Sequence, residues 1–209
     1  MAGKTPVFTR QAQVVNASAV DVQARTVKIA LSSETPYLRS MGWEVLSHDQ
    51  GAIDETFLGQ GLTILWGHDH DEVRGTLVDY ELGEDKVLRG TVKLSRSAKS
   101  EELLQNIADG AVRYVSVGYG YKAIQLDGEK DGVEVWRVTD WVPYEASFVS
   151  VPADATVGIG RSAAAAEQHP DTLALISAAR DVYTRAHAAG SKAKPEDEED
   201  QATDEVVDE

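Results

Sequence analysis

Short runs of alternating apolar and polar residues recur through most of this 209-residue chain, and they constrain its fold more than any other feature. The clearest run covers residues 112–122, where Val115, Val117 and Tyr119 would share one face of a strand and Ser116 and Gly118 the other. Comparable runs predict further strands over residues 6–15, 25–32, 43–46, 62–66, 73–82, 85–94, 133–142 and 145–151. We therefore predict a mainly β body over residues 6–162.

Three helical segments interrupt this pattern. Ser97 is typical of a helix N-cap, and the helix that follows is predicted to stop at Gly110. Residues 52–58 suggest a helical turn, and residues 170–189 carry a helical apolar stripe. Pro143 is predicted to end the strand over 133–142, and residues 126–128 to form a turn.

Composition excludes several classes of function. The net charge is −15, and residues 196–209 hold nine acidic residues and no Lys or Arg, which leaves about −6 for the rest. An acidic chain is a poor partner for nucleic acid. The chain has no cysteine, so it uses no disulfide or thiolate chemistry. It lacks a signal peptide and any run of about 20 apolar residues, which predicts a soluble, cytosolic protein without a membrane span.

One histidine lies where a catalytic base could sit. Residues 65–71 read Leu-Trp-Gly-His-Asp-His-Asp, so His68 follows an apolar strand directly. Imidazole titrates near neutrality, which suits a general base. A surface histidine in a charged turn is the plain alternative, and His70 competes for the role. A zinc site using His68, His70 and His48 is a lesser alternative, because the spacing matches no zinc signature.

A serine and a carboxylate occur in other strand-like runs. Ser116 lies mid-strand, outside any G-x-S-x-G elbow, and its hydroxyl could simply bond a neighbouring carbonyl. Glu145 opens an apolar run, with Asp140 and Asp154 as competitors. Serine, histidine and an acid are the side chains of a serine hydrolase. The glycines of residues 158–160 lack the spacing of a nucleotide loop, so no cofactor is predicted.

Three runs together resemble a known family. Residues 66–71, residues 115–119 and the pattern Glu145-x-Ser147-x-Val149-x-x-Pro152 are similar to the prohead (procapsid maturation) proteases of tailed bacteriophages, the HK97-type serine peptidases. The resemblance extends over residues 11–162 and implies a fold related to the herpesvirus assemblins. The fold class expected is α+β, mainly β: a small β-barrel with surrounding helices, followed by a C-terminal helix and a disordered acidic tail.

The resemblance also implies a site and a role. His68 matches the family histidine, Ser116 the family serine, and Glu145 the third member by its offset. Oxyanion donors are expected near Gly118 or in residues 153–161. Major capsid protein, scaffold protein and the protease itself are the implied substrates, cut inside the assembling procapsid in the host cytoplasm. Self-association is suggested by the assemblins.

The same reading divides the chain into a protease domain (6–162), a helical segment (163–190) and a disordered tail (191–209). A detachable role in packaging would suit the last two parts. A non-enzymatic scaffold or assembly protein with a decayed site remains the alternative, although the presence of all three site residues argues against decay.

Overall fold

The computed structural model describes residues 8–13, 19–150 and 170–190, which form ten strands and three helices. The strands are β1 (Phe8–Gln13), β2 (Val20–Asp21), β3 (Thr26–Ser33), β4 (Tyr37–Arg39), β5 (Gly42–Leu46), β6 (Thr63–Trp66), β7 (Asp69–Leu82), β8 (Val87–Leu94), β9 (Tyr114–Lys130) and β10 (Val133–Val149). The helices are α1 (Thr56–Gly59), α2 (Ala98–Ala108) and α3 (Pro170–Gly190). The predicted mainly β fold with few helices is confirmed.

All ten strands belong to one mixed sheet. The main path runs β1-β9-β10-β6-β7-β8-β3-β2, with β4 and β5 attached beside β10. β10 is parallel to β5 and to β6, and its pairing with β9 is antiparallel. The sheet curls into a half-barrel, so that β3 near one end of the path approaches β1 and β9 at the other.

Two apolar clusters fill the inside of this sheet. The larger joins β3, β6, β7 and β8 to α2, whose Leu103, Leu104 and Ile107 are buried. The second surrounds Trp136 and Trp141 of β10 and draws aromatic residues from β1 and β9. The long strands β9 and β10 therefore contribute to both clusters, which makes them a rigid base for any side chain on their other face.

Helix α2 follows its predicted capping signals. Ser97 has an extended backbone, and its hydroxyl accepts a hydrogen bond from the amide of Ser100 at 3.2 Å. The chain leaves the helix through Gly110, whose φ of +73° is the left-handed conformation that glycine adopts without steric cost.

The predicted turn at residues 126–128 is wrong, because β9 continues to Lys130. Two Asp-Gly pairs lie close together in this part of the chain, and the second, Asp131-Gly132, forms the hairpin turn to β10 with φ values of +54° and +75°. The first pair, Asp127-Gly128, is instead absorbed as an irregularity in the β9–β10 register, where Gly128 has φ of +119°. A bulge and a turn demand the same residue types, so the local sequence did not separate them.

Pro143 also fails to interrupt its strand. It pairs with Tyr119 inside β10, and the register shifts immediately after it, before Glu145. Such an irregularity lets a strand accept a proline that would otherwise break the ladder of hydrogen bonds. The result is one continuous 17-residue strand in place of the two predicted runs.

Helix α3 packs on the body of the protein. Ile176 is only 8% exposed and joins the cluster of Trp136 and Tyr121. Arg180 lies 5.3 Å from the centre of the Trp136 ring and donates to Glu134 at 2.7 Å. Residues 163–169 and 191–209, which complete the two predicted C-terminal segments, lie outside the described residues. No helix in the part of the chain that is described is long and apolar enough to cross a membrane.

We expect Ile176→Ala to lower the free energy of unfolding by about 2 kcal/mol, because it leaves a cavity under the helix. Leu173→Ala on the same helix is the matched control, since Leu173 is 50% exposed and its loss should cost under about 0.5 kcal/mol. Urea denaturation of both variants measures the difference. Equal destabilisation would contradict the packing described for α3.

Candidate active site

His68 lies in a tight hairpin turn between β6 and β7. Trp66 pairs with Asp69, so Gly67 and His68 form a two-residue loop, with φ values of +64° and +62°. Positive φ at both central positions is the mark of a type I′ turn, which favours asparagine or glycine. A histidine adopts this conformation less readily than glycine, and residues held in such conformations cluster at functional sites.

Glu145 lies on β10 and contacts the His68 ring. Its Oε1 is 2.7 Å from Nδ1 of His68, and its side chain is 6% exposed compared with 27% for the histidine. A carboxylate accepts, so Nδ1 carries the proton and Nε2 keeps a lone pair. Nε2 of His68 has no hydrogen-bond partner in the described part of the chain, whereas Nδ1 has Glu145. The acid and the base of the predicted site are thus in direct contact.

Gly118 on β9 makes room for this carboxylate. It is the cross-strand partner of Glu145, and a Cβ atom at this position would come within 2.2 Å of Oε1 and 3.0 Å of Cδ. Any larger residue would push the Glu145 side chain away from its place. The absence of a side chain at Gly118 therefore leaves space for the acid.

We expect Gly118→Ala to reduce the catalytic rate of this site by about 10²-fold, the cost of a misplacement of roughly 1 Å in an active site. Gly128→Ala in the same strand is the control, because no atom lies within 4 Å of the added methyl. Gly128 has positive φ, so its variant should lose some stability but keep its rate per folded molecule. A similar rate for both variants would contradict the close approach at Gly118.

Ser116 lies two residues before Gly118 and shares its face of the sheet. It is 1% exposed and pairs across the strands with Ser147, as Gly118 pairs with Glu145. Directly paired residues project to the same side of a sheet, so Ser116, Ser147 and Glu145 lie on one face. The Ser116 hydroxyl is buried and has no hydrogen-bond partner within residues 8–13, 19–150 and 170–190. It therefore makes no hydrogen bond to His68 here, as catalytic contacts often tighten only when substrate binds.

Ser147 also belongs to this site. The sequence pattern that carries the family resemblance includes Ser147, but it assigned this residue no role. Its hydroxyl donates to Oε2 of Glu145 at 2.8 Å and accepts from the amide of His68 at 3.0 Å. The signal was available, since residues i and i+2 of a strand face the same side and Ser147 follows Glu145 at that spacing.

The competing candidates for base and acid lie elsewhere. His70 is exposed at the start of β7. Asp140 pairs with Ala123, on the other side of the register shift that separates Pro143 from Glu145. Asp154 lies outside the described residues. The structure thus brings together His68 and Glu145, the pair favoured by the family resemblance.

His48 does not join this site. It is completely buried, its Nε2 lies 2.8 Å from the Ser32 hydroxyl, and its Nδ1 lies 2.9 Å from the carbonyl of Leu46. Both nitrogens are thus used within the core. Among the described residues no group of three or more His, Cys, Asp or Glu side chains could hold a metal ion. Of the regions expected to supply oxyanion donors, residues 153–161 lie outside the described chain.

The geometry fits proton transfer to and from a hydroxyl. A buried carboxylate holds Nδ1 of a histidine whose side chain is partly exposed, and the other ring nitrogen is the one available for proton transfer. The neighbouring strand β9 presents on the same face a serine hydroxyl that has no partner in the described part of the chain. A hydroxyl, an imidazole and a carboxylate are the groups that can act as a nucleophile, a base and the acid that orients the base.

Comparison with known proteins identifies the family of this chain. The family model of the caudovirus prohead serine protease matches residues 42–171, more than half of the chain. The major capsid protein of Halomonas phage phiHAP-1 is 41% identical over 137 residues, which are 64% of this chain and 23% of that protein. The chain thus spans about a quarter of the length of this relative.

Among solved structures, the bacteriophage T4 capsid assembly protease aligns with a TM-score of 0.45 and 9% identity, covering 70% of this chain and 99% of that one. The resemblance to prohead proteases seen in the sequence is confirmed by the family match. The chain belongs to the caudovirus prohead serine protease family.

Proposed function

We propose that this protein is a serine endopeptidase of phage capsid maturation, with Ser116 as nucleophile, His68 as general base and Glu145 as the acid that orients the base. The observation that carries the proposal is the 2.7 Å contact between His68 and Glu145, on the face of the sheet where the buried Ser116 hydroxyl has no hydrogen-bond partner among the described residues. Buried polar groups are nearly always satisfied, so an orphaned hydroxyl next to a histidine–carboxylate pair calls for a functional reason.

The mechanism follows from the roles of these groups. Nε2 of His68 takes the proton of the Ser116 hydroxyl as its oxygen attacks the carbonyl carbon of a peptide bond. The protonated imidazole then gives that proton to the leaving amine, and the C–N bond breaks. Water repeats the sequence on the acyl-enzyme and restores the serine. Glu145 holds the tautomer with the proton on Nδ1 and stabilises the charged ring.

The substrate we propose is the major capsid protein. In the phiHAP-1 relative, the segment similar to this chain occupies about a quarter of a polypeptide that is itself named major capsid protein. A protease segment joined to its substrate meets the cleavage site at a high effective concentration. We therefore propose that this protein cleaves the major capsid protein, scaffold protein and itself inside the procapsid.

The proposal is tested by incubating the purified protein with the cognate capsid or scaffold chain and identifying the fragments by mass spectrometry. The wild-type protein should produce fragments and Ser116→Ala should not. A fluorophosphonate, which reacts with activated serines, should label Ser116 and abolish cleavage, while a chelator should leave cleavage unchanged.

Two results would overturn the proposal in different ways. Complete absence of fragments and label in the wild-type protein would favour a non-enzymatic assembly role. Loss of activity with the chelator would favour a metal-dependent hydrolase. His70→Ala is the matched control throughout, because His70 is two residues from His68 and exposed.

A further inference from the structure

We propose that Ser147 is a positioning residue of this active site, whose hydroxyl holds the orienting acid and the backbone of the base in one fixed unit. The inference rests on the proposed function and adds a fourth side chain to it. Ser147 is completely buried on β10, two residues from Glu145 and directly opposite Ser116.

The hydrogen bonds of Ser147 connect the two other groups. Its hydroxyl proton goes to Oε2 of Glu145 at 2.8 Å, while Oε1 of the same carboxylate faces Nδ1 of His68. The Ser147 oxygen accepts the amide proton of His68 at 3.0 Å. One hydroxyl thus contacts the acid as a donor and the base as an acceptor.

The hydrogen bond from the His68 amide helps to stabilise the turn that carries His68, whose backbone conformation is unfavourable for a residue other than glycine. Gly67 and His68 both have positive φ, which a histidine adopts only when its surroundings impose it. The amide of Gly67 donates to the carbonyl of Phe148 at 3.0 Å, and the amide of His68 donates to Ser147. Both turn amides are therefore tied to β10, the strand that carries Glu145.

The same hydrogen bonds distinguish the two paired serines. Ser147 has its single proton committed to Glu145 and accepts the amide of His68. The hydroxyl of Ser116, its partner across the strands, makes no hydrogen bond to any residue that the structure describes. Because Ser147 binds the acid, it does not compete for the Ser116 proton. One serine is held in place and the other remains available for attack.

The test compares Ser147→Thr with Ser147→Val, two substitutions of nearly equal shape that differ in the hydroxyl. Both add the same methyl group to a buried site, so any packing effect is shared. We expect the threonine variant to keep kcat within about 10-fold of the wild type. The valine variant should lose about 10²-fold in kcat with little change in KM, the cost of a misaligned base.

A second measurement reports on the base without substrate. The proton on Nδ1 of His68, held by a carboxylate, should give a distinct downfield NMR signal in the wild type and in Ser147→Thr. This signal should broaden or shift in Ser147→Val. Equal kcat values and equal Nδ1 signals in the two variants would overturn the positioning role, since the hydroxyl would then be dispensable.

Fluorophosphonate labelling separates this inference from the proposed function. Label at Ser116 in the wild type, the threonine and the valine variants, with slower labelling in the last, supports both. Label on Ser147 would overturn the positioning role, because Ser147 would be the nucleophile. Absence of label from the wild type would refute the proposed function itself, whatever the two variants show.

Discussion

Ser116→Ala and His68→Ala are each expected to lose about 10⁴-fold or more in kcat/KM on a peptide taken from the capsid cleavage site. Removal of the nucleophile or of its base stops the same step, so the two losses share one cause. For this reason the double variant should be little worse than either single one. Steady-state kinetics on the three proteins measures both the losses and their lack of additivity.

The controls for this prediction come from neighbouring positions. Glu145→Gln should lose less than either variant, because the amide still contacts the ring but no longer stabilises its charge. His70→Ala should stay near the wild-type rate, since His70 is exposed. A severe loss in His70→Ala with a mild one in His68→Ala would show that the wrong histidine has been assigned as the base.

Glu44→Ala is expected to lower the free energy of unfolding by about 3–5 kcal/mol, the range observed when one partner of a buried ion pair is removed. Glu44 on β5 is completely buried. Its Oε2 lies 3.4 Å from Nε of Arg39, and its Oε1 accepts the hydroxyl of Tyr119 at 2.6 Å. Tyr121 donates to the same carboxylate. The total free energy of unfolding of a domain is about 5–15 kcal/mol, so this loss would be a large part of it.

The cost arises from the groups that Glu44 leaves behind. Burial alone would lower the pKa of Arg39, but the surrounding Tyr119 and Glu44 hold it above its ordinary value, so the guanidinium stays charged. Burial first, and then the charge of Glu44, raises the pKa of Tyr121 well above its ordinary value, so that this ring remains a neutral donor. Without Glu44 a buried cation and two buried hydroxyl donors lose their common acceptor.

This network also bears on the candidate active site. Tyr119 and Tyr121 belong to β9, three and five residues beyond Ser116. Their bonds to Glu44 connect β9 to β5, a strand with which β9 is not directly paired in the sheet order. Loss of the network should therefore loosen the strand that carries the proposed nucleophile as well as lower overall stability.

Guanidinium chloride denaturation followed by circular dichroism measures the effect. The double variant Arg39→Met with Glu44→Leu should be more stable than Glu44→Ala, because no buried charge is left unpaired. Asp85→Ala is the surface control, since Asp85 is half exposed in its pair with Arg89 and solvent screens such pairs. A Glu44→Ala loss no larger than that of Asp85→Ala would contradict the role assigned to the network.

Local patterns were sufficient for most elements of the fold. The Ser97 cap and Gly110 identified helix α2, and the alternation over residues 112–122 identified β9. The predictions from sequence were wrong where the same local residue pattern can form two different structures. Asp127-Gly128 forms a register irregularity and Asp131-Gly132 a turn, and the choice between them depends on which pairing aligns the apolar faces of β9 and β10.

The candidate site shows the same division. Residue type and position in or just after a strand-like run were enough to select His68, Ser116 and Glu145 as candidates, and the family resemblance preferred His68 over His70. The left-handed conformation of His68, the closeness of Gly118 to Glu145 and the two bonds of Ser147 were not visible in the sequence. Each of them depends on which residues of different strands become neighbours.

By itself the sequence determined the mainly β class, the chief helix signals and the chemical types of the site residues, because these depend on periodicity and side-chain chemistry within short stretches of chain. Only the tertiary structure decided that Glu145 meets His68 across 77 residues, and that Ser147 is committed while Ser116 is not. The register of β9, β10 and β6 sets those contacts. Register results from the packing of whole faces, which no short segment contains.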